Sequence, residues 1–296
     1  AKLMWHVIVP IWLRQDQPNI FWSPRQHLPI LIPKQITSVV TIHDLVWKTF
    51  PQTIPRLQRI SEQVFMMPSV KRADAIICIS EATKSLLEQH CKTALNKSVV
   101  IRHGLDIEIN KTIITTPKRD YLLAVGTIEP RKNYTNLIKG FEKYVNNNGH
   151  RHLIIVGKKG WLYDEAIETY EQSPHKNRIT FLENVSDEQL SDLYKNAGAF
   201  ISPSLDEGFG LPAQEATAYG IPLLLSNIPV YQELYAHAFD FFEPTSPDAI
   251  AQTVSRLDAN PEQYSVTLSE HSNWQQCAEE HGSCLIKTYL AKQGSH

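Results

Sequence analysis

Short apolar runs alternate with longer amphipathic ones along most of this chain. In the first half, Phe21-Trp22-Ser23 and Ser38–Ile42 predict short buried strands. Ile54–Ala73 has a helical pattern, Ala75–Ile79 reads as a strand, Glu81–His90 as a helix and Ser98–Ile101 as another strand. Strands separated by helices of this length build a parallel sheet. The opening, Ala1–Leu13, is apolar and does not begin with Met, and this half looks short for a complete α/β domain.

Ile107–Arg119 is β-branched, polar and Pro-containing, and reads as a linker. A second series follows, with strands predicted at Tyr121–Val125, His152–Val156, Arg178–Leu182, Ala199–Ser202 and Ile221–Leu225. Helices are predicted between them at Tyr134–Asn147, Tyr163–Gln172, Asp187–Asn196 and Pro212–Tyr219. This is the pattern of a doubly wound domain, whose ligands sit at the carboxyl ends of the strands. The tail, Ser269–Ala291, predicts a terminal helix with Trp274, Leu285, Ile286 and Tyr289 on its apolar face, packed on the amino-terminal half. The expected division is therefore residues 1–118, 119–268 and a crossing helix at 269–296.

Composition narrows the function. A formal net charge of −2 over 296 residues gives no electrostatic footprint for nucleic acid. No apolar run is long enough to span a bilayer. The four cysteines have no metal-ligand spacing and suit reduced thiols. A Walker A loop, a Gly-x-Ser-x-Gly elbow and a His-Glu-x-x-His helix are all absent from the sequence.

Candidate chemistry falls on the predicted strand ends. Asp206–Glu215, DEGFGLPAQE, joins a strand to a helix with Pro212 near its start and Gly220 as its stop. Gly208 and Gly210 let backbone approach a ligand, and the N–H groups of a helix start favour an anion. Glu207 and Glu215, with seven residues between them, can accept from sugar hydroxyls. Phosphate donors between hydroxyl acceptors describe a nucleotide-sugar site, although acidic residues at a helix start are also favoured by its dipole alone. Gly126-Thr127-Ile128-Glu129-Pro130-Arg131-Lys132-Asn133 sets two adjacent cations at a second strand end, suited to a leaving diphosphate or to a solvated loop. Gly157-Lys158-Lys159-Gly160-Trp161 ends a third strand. Glu183–Asp187 enters a helix capped by Ser186, where backbone near Val185 could read a base. His43-Asp44 ends a strand of the first half, and His103-Gly104 is a weaker analogue.

Together TIHDLVW, ADAIICISEATK, VGTIEPRKN, LIIVGKKGW, FLENVSDEQLSDLYKNA and SPSLDEGFGLPAQEATAYGIPLLLS resemble the family-4 retaining glycosyltransferases of bacterial polysaccharide synthesis. The resemblance covers most of the chain and implies the GT-B fold, two Rossmann-like domains facing across a cleft. It implies that Glu207 contacts the donor sugar, Glu215 the ribose, and Arg131 and Lys132 the diphosphate. Gly208, Phe209 and Gly210 offer backbone to phosphate and sugar, with Leu211 beside them. Val185 lies by the base, and Leu190, Gly126, Thr127, Gly157 and Lys158 complete the donor side. His43 comes to the reacting sugar.

The implied reaction is metal-free transfer of a hexose, with retention, to a glycan or lipid-linked glycan. UDP-glucose is the favoured donor and GDP-mannose the other candidate. The implied place is the cytoplasm, with peripheral association at the inner face of the membrane. Two departures from the family stand out. Its first strand and glycine-rich loop are not found, as though about 60 to 80 residues were missing, and Thr127 stands where many members carry Arg. The competing expectations are a nucleotide-sugar epimerase or phosphorylase of the same architecture, and a non-catalytic nucleotide-sugar binding module.

Overall fold

Runs such as Thr37–Ile42 (TSVVTI) and Leu223–Ser226 (LLLS) are buried at every position, as strands covered on both faces of a parallel sheet must be. The computed structural model describes residues 2–105, 120–235, 240–260 and 273–294. The chain divides into two units. The first comprises Ala1–Thr49, Arg56–Asp106 and His271–His296, and the second comprises Phe50–Pro55 and Ile107–Glu270. The expected linker and the boundaries at 118/119 and 268/269 lie outside the described residues. The assignment of Phe50–Pro55 to the second unit had no signal in the sequence. One bond that holds it is the Trp161 indole N–H donating to the Thr53 carbonyl at 2.8 Å.

The first unit has a four-stranded parallel sheet in the order β1 (Ile20–Ser23), β2 (Thr37–Ile42), β3 (Ala75–Cys78), β4 (Ser98–Val100). Its helices are α1 (Lys2–Asp16), α2 (Val46–Thr49), α3 (Arg56–Arg72) and α4 (Glu81–His90), the last capped by the Ser80 hydroxyl on the Thr83 N–H. Trp22 on the edge strand β1 is 37% exposed, so that strand is only half buried.

The second unit has a six-stranded parallel sheet. Its strands are β5 (Tyr121–Val125), β6 (His152–Val156), β7 (Ile179–Leu182), β8 (Ala199–Ser202), β9 (Leu223–Ser226) and β10 (Asp240–Phe242). The spatial order is β10-β9-β8-β5-β6-β7. The chain winds outward from β5 through β6 to β7, then returns to β8 on the other side and winds outward again. The reversal lies between β5 and β8, and ligands collect at such a switch point. The helices are α5 (Tyr134–Asn146), α6 (Asp164–Glu171), α7 (Asp187–Asn196), α8 (Leu211–Ala218), α9 (Pro229–Tyr235) and α10 (Pro247–Ala259). Leu137, Phe141, Ile155, Ile201, Ile250 and Val254 are among the buried residues of its core. α5 and α10 cross at Gly140, where an added Cβ would sit 2.7 Å from the Ile250 side chain. α9, α10 and β10 extend the domain beyond the predicted elements.

α11 (Trp274–Gln293) belongs to the first unit as expected, but of the four apolar residues expected on its packed face Leu285 and Tyr289 are half buried while Trp274 and Ile286 are exposed. Cys277, with Cys284 and Leu285, packs on Val39, Ala75, Ile77 and Ile101, while Trp274, Ile286 and Leu290 are exposed. Lys292 fixes the same face near the helix end, donating to the Ile36 carbonyl and the Asp74 carboxylate. No helix among the described residues is long and apolar enough to cross a membrane.

Candidate functional site

The two strands flanking the switch point end in loops that are stitched together. After β5, Gly126–Asn133 passes through a short turn at Pro130–Lys132, and Asn133 adopts a left-handed conformation, φ 59°. The Asn133 side-chain amide donates to the carbonyls of Pro203 and Pro244 at 2.9 and 2.7 Å. The Leu205 N–H donates to the Arg131 carbonyl at 2.9 Å. The bonds to Pro203 and from Leu205 hold the loop after β5 against the loop after β8, and the bond to Pro244 ties it to the segment after β10.

Glu207 lies at that seam, with its side chain 8% exposed. Arg131 Nη1 donates to its Oε2 at 2.6 Å. Lys132 Nζ and the Ser204 hydroxyl donate to its Oε1 at 2.5 and 2.7 Å. Burial alone would raise the Glu207 pKa. The two cations and the bonds from Lys132 and Ser204 outweigh burial and hold it at about 2. Arg131 also donates through Nη1 to the Asp206 carbonyl at 2.9 Å and through Nε to Glu129 Oε1 at 3.0 Å, while Nη2 is 2.7 Å from the same oxygen. Glu129 is 4% exposed, and burial pushes its carboxyl up against the opposing pull of Arg131. The formal charges of the two carboxylates and two cations cancel.

Gly210 opens α8 in the left-handed region, φ 84°, with its missing Cβ 2.5 Å from the Tyr231 ring. A side chain there would meet both strain and collision. Phe209 is buried, so what this residue offers a ligand is backbone, and Leu211 is 37% exposed. Glu215 lies in the second turn of α8. It accepts from the Tyr194 hydroxyl at 2.8 Å, and Tyr194 in turn stacks on Tyr219 at 5.2 Å. Burial raises the Glu215 pKa, opposed by the Tyr194 bond.

The third loop joins the first two. The Ile128 N–H donates to the Lys158 carbonyl at 2.8 Å and the Gly160 N–H to the Ile128 carbonyl at 3.0 Å, prolonging the β5–β6 ladder beyond both strands. An alanine Cβ at position 157 would lie 1.9 Å from the Gly126 carbonyl oxygen, so the close approach of these loops requires glycine. Thr127 and Lys158 are exposed beside it.

The predicted site residues thus fall into groups. Glu207, Arg131, Lys132 and Gly208–Leu211 come together at the switch point, with Glu215 farther along α8. Gly126, Thr127, Gly157 and Lys158 form the neighbouring edge. Val185 and Leu190, half buried, follow the edge strand β7 two places from β5, and α7, which carries Leu190, also supplies Tyr194 to Glu215. His43 belongs to the first unit, where its Nε2 lies 2.8 Å from the Pro24 carbonyl and its ring stacks on His103 at 5.9 Å. Sequence reasoning missed Glu129, Ser204 and Tyr194. Ser204, three residues before Glu207, had a spacing signal, whereas Tyr194 had none.

Residues 106–273 match the family model of Glycosyl transferases group 1, and residues 4–109 match that of Glycosyltransferase Family 4. The serotype-specific mannosyltransferase WbdA of Escherichia coli is 31% identical over 294 residues, covering 90% of this chain and 36% of that protein. The O-antigen chain mannosyltransferase RfbU of Salmonella typhimurium is 28% identical over 235 residues, covering 78% of this chain and 64% of that protein. The matched region is thus about a third of the first relative's length and just under two thirds of the second's. A sucrose-phosphate synthase from Thermosynechococcus elongatus shares the fold, with a TM-score of 0.75 at 18% identity over 96% of this chain and 77% of that one. With family models matching both halves and the parallel α/β architecture common to such structures, the chain belongs to the Glycosyl transferases group 1 family, the family-4 glycosyltransferases of the GT-B fold.

Proposed function

We propose that the protein moves a hexose from a nucleotide-sugar to a growing bacterial glycan, and that the hexose is mannose. The observation that carries this reading is the switch-point cluster. Glu207 is held ionised beside Lys132, next to the backbone of Gly208–Gly210, with Glu215 one turn into the following helix. A diphosphate would meet Lys132 and backbone donors. The ribose hydroxyls would donate to Glu215 and the donor-sugar hydroxyls to Glu207. The resemblance assigns His43 to the reacting sugar. The sequence alone favoured UDP-glucose. The two relatives described above are named mannosyltransferases, which favours GDP-mannose instead.

The reaction we assign is retaining and metal-free. Both Glu207 oxygens already accept hydrogen bonds, and its carboxyl is held at about 2, so it is a weak nucleophile and a weak base. This favours a front-face path in which the leaving phosphate takes the acceptor's proton, with Lys132 stabilising the departing charge. We place the reaction in the cytoplasm, at the inner face of the membrane, where a lipid-linked acceptor would be reached. The four free cysteines agree with a reducing compartment. Calorimetric titration with GDP, UDP and ADP tests the donor. GDP should bind tightest, and equal or absent binding of all three would refute the assignment.

A further inference from the structure

We infer that Arg131 is a positioning residue that braces Glu207, with Glu129 as its buried anchor, and that the phosphate counter-charge falls to Lys132. The inference rests on the functional reading above and changes the role that the resemblance gives Arg131. All three guanidinium nitrogens of Arg131 are engaged within the protein: Nε and Nη2 on Glu129, Nη1 on the Asp206 carbonyl and on Glu207. To turn toward a phosphate, Arg131 would have to abandon Glu129, whose side chain is 2% exposed. A carboxylate left unpaired at that depth is strongly unfavourable.

The planar fork suits this task better than a contact with ligand. It spans two loops, gripping its own through Glu129 and the β8 loop through Asp206 and Glu207. Lys132 is different. Its ammonium is a point charge on a flexible stem, and it lies over Gly126, where an added Cβ would be 3.0 Å from Lys132 Cε. It can exchange Glu207 for a phosphate oxygen because Arg131 still balances Glu207. The quartet is thus arranged so that one cation can leave and the other stays.

The test uses Arg131→Lys, Glu129→Gln and Lys132→Gln in the full chain, with guanosine and GDP as probes and transfer from GDP-mannose as the rate assay. The quantity read is the ratio of GDP to guanosine affinity. Lys132→Gln should lower it by about tenfold or more, the scale of one charge-assisted hydrogen bond. Arg131→Lys should keep it within about threefold while kcat falls about 100-fold, the scale for a misplaced group. Adding Glu129→Gln to Arg131→Lys should cost little more, because the two act as one unit.

A wild-type rate in Arg131→Lys would overturn the brace, as would a lost affinity ratio in that variant. If wild type binds GDP and Glu215→Ala weakens it while Arg131→Lys loses only the diphosphate increment, the brace fails and the functional reading stands. If wild type binds no nucleoside diphosphate, the functional reading fails. Should Arg131→Lys not fold, Glu129→Gln carries the test alone. It should lower kcat with the affinity ratio kept, and an unchanged kcat would refute the anchor.

Discussion

Replacing Glu215 with alanine should weaken GDP binding by about 1.5–3 kcal/mol, the range for hydrogen bonds to a charged acceptor. The corresponding rise in Kd is roughly 10- to 150-fold. A carboxylate has about four acceptor positions, and Tyr194 occupies one on Oε2, leaving capacity for a ribose diol. The substitution should spare the fold, because the Tyr194 hydroxyl keeps the Pro212 carbonyl at 3.3 Å as a second acceptor. The pH dependence has a definite sign. Burial raises the Glu215 pKa, so this carboxylate is protonated, and affinity is lost, as pH falls through a value above the ordinary glutamate range. Glu207, at about 2, stays ionised throughout and contributes nothing to that limb. Calorimetry with GDP at pH 7 reads the Kd change, and calorimetry with guanosine, which carries the ribose diol but no titrating phosphate, between pH 4 and 8 (a range of about four units chosen to bracket an ordinary or raised carboxyl) follows the pH effect. Glu215→Gln should bind more weakly than wild type and show no acid limb. An unchanged Kd in folded Glu215→Ala, or an acid limb that persists in Glu215→Gln, would refute the ribose assignment.

Lys132→Ala should lower kcat by roughly 10²–10³-fold, the scale for one preorganised electrostatic partner, with circular dichroism confirming the fold. Gly157→Ala forces a Cβ to 1.9 Å from a backbone oxygen. It should destabilise the second unit by about 3 kcal/mol or more, read as a lower melting temperature. The folded-state pKa of Glu207 is depressed to about 2 from an ordinary 4.5. Its contribution to stability is therefore present above pH 4.5 and lost as pH falls toward 2, and Glu207→Gln should flatten that part of the acid-unfolding curve.

The doubly wound pattern was legible because each strand is a short apolar run and each helix is punctuated. α7 begins at Ser186, the cap read from the sequence, and α4 begins in the same way at Ser80. α10 carried similar signals, Ser246 as cap and Pro247 behind it, and was within reach of the same reasoning. β10 is three residues long and half buried, too short for a periodicity to form. The face of α11 was legible in part: Leu285 packs as its apolar character suggests, but Cys277 is buried and Lys292 hydrogen-bonded where Trp274 and Ile286 stay exposed, which apolar spacing alone does not indicate. At the site, glycine spacing and the Glu207–Glu215 interval marked the loop after β8, which the sheet order puts beside the switch point. What they could not show is that Glu129, Arg131, Lys132 and Glu207 form one group. Arg131 and Glu207 are 76 positions apart in sequence, and the sequence gives charges without their partners. The ion pairs that both cations make with Glu207 were therefore invisible from the sequence.

The most direct test of the account is transfer from GDP-mannose to a mannose-terminated oligosaccharide in the presence of EDTA, with the new linkage and its anomeric configuration determined by NMR. The account predicts an α-linked product with GDP released only when acceptor is present, and little product from the Lys132→Ala variant. GDP released without acceptor, an inverted linkage, or activity that returns only on adding a divalent metal would contradict it.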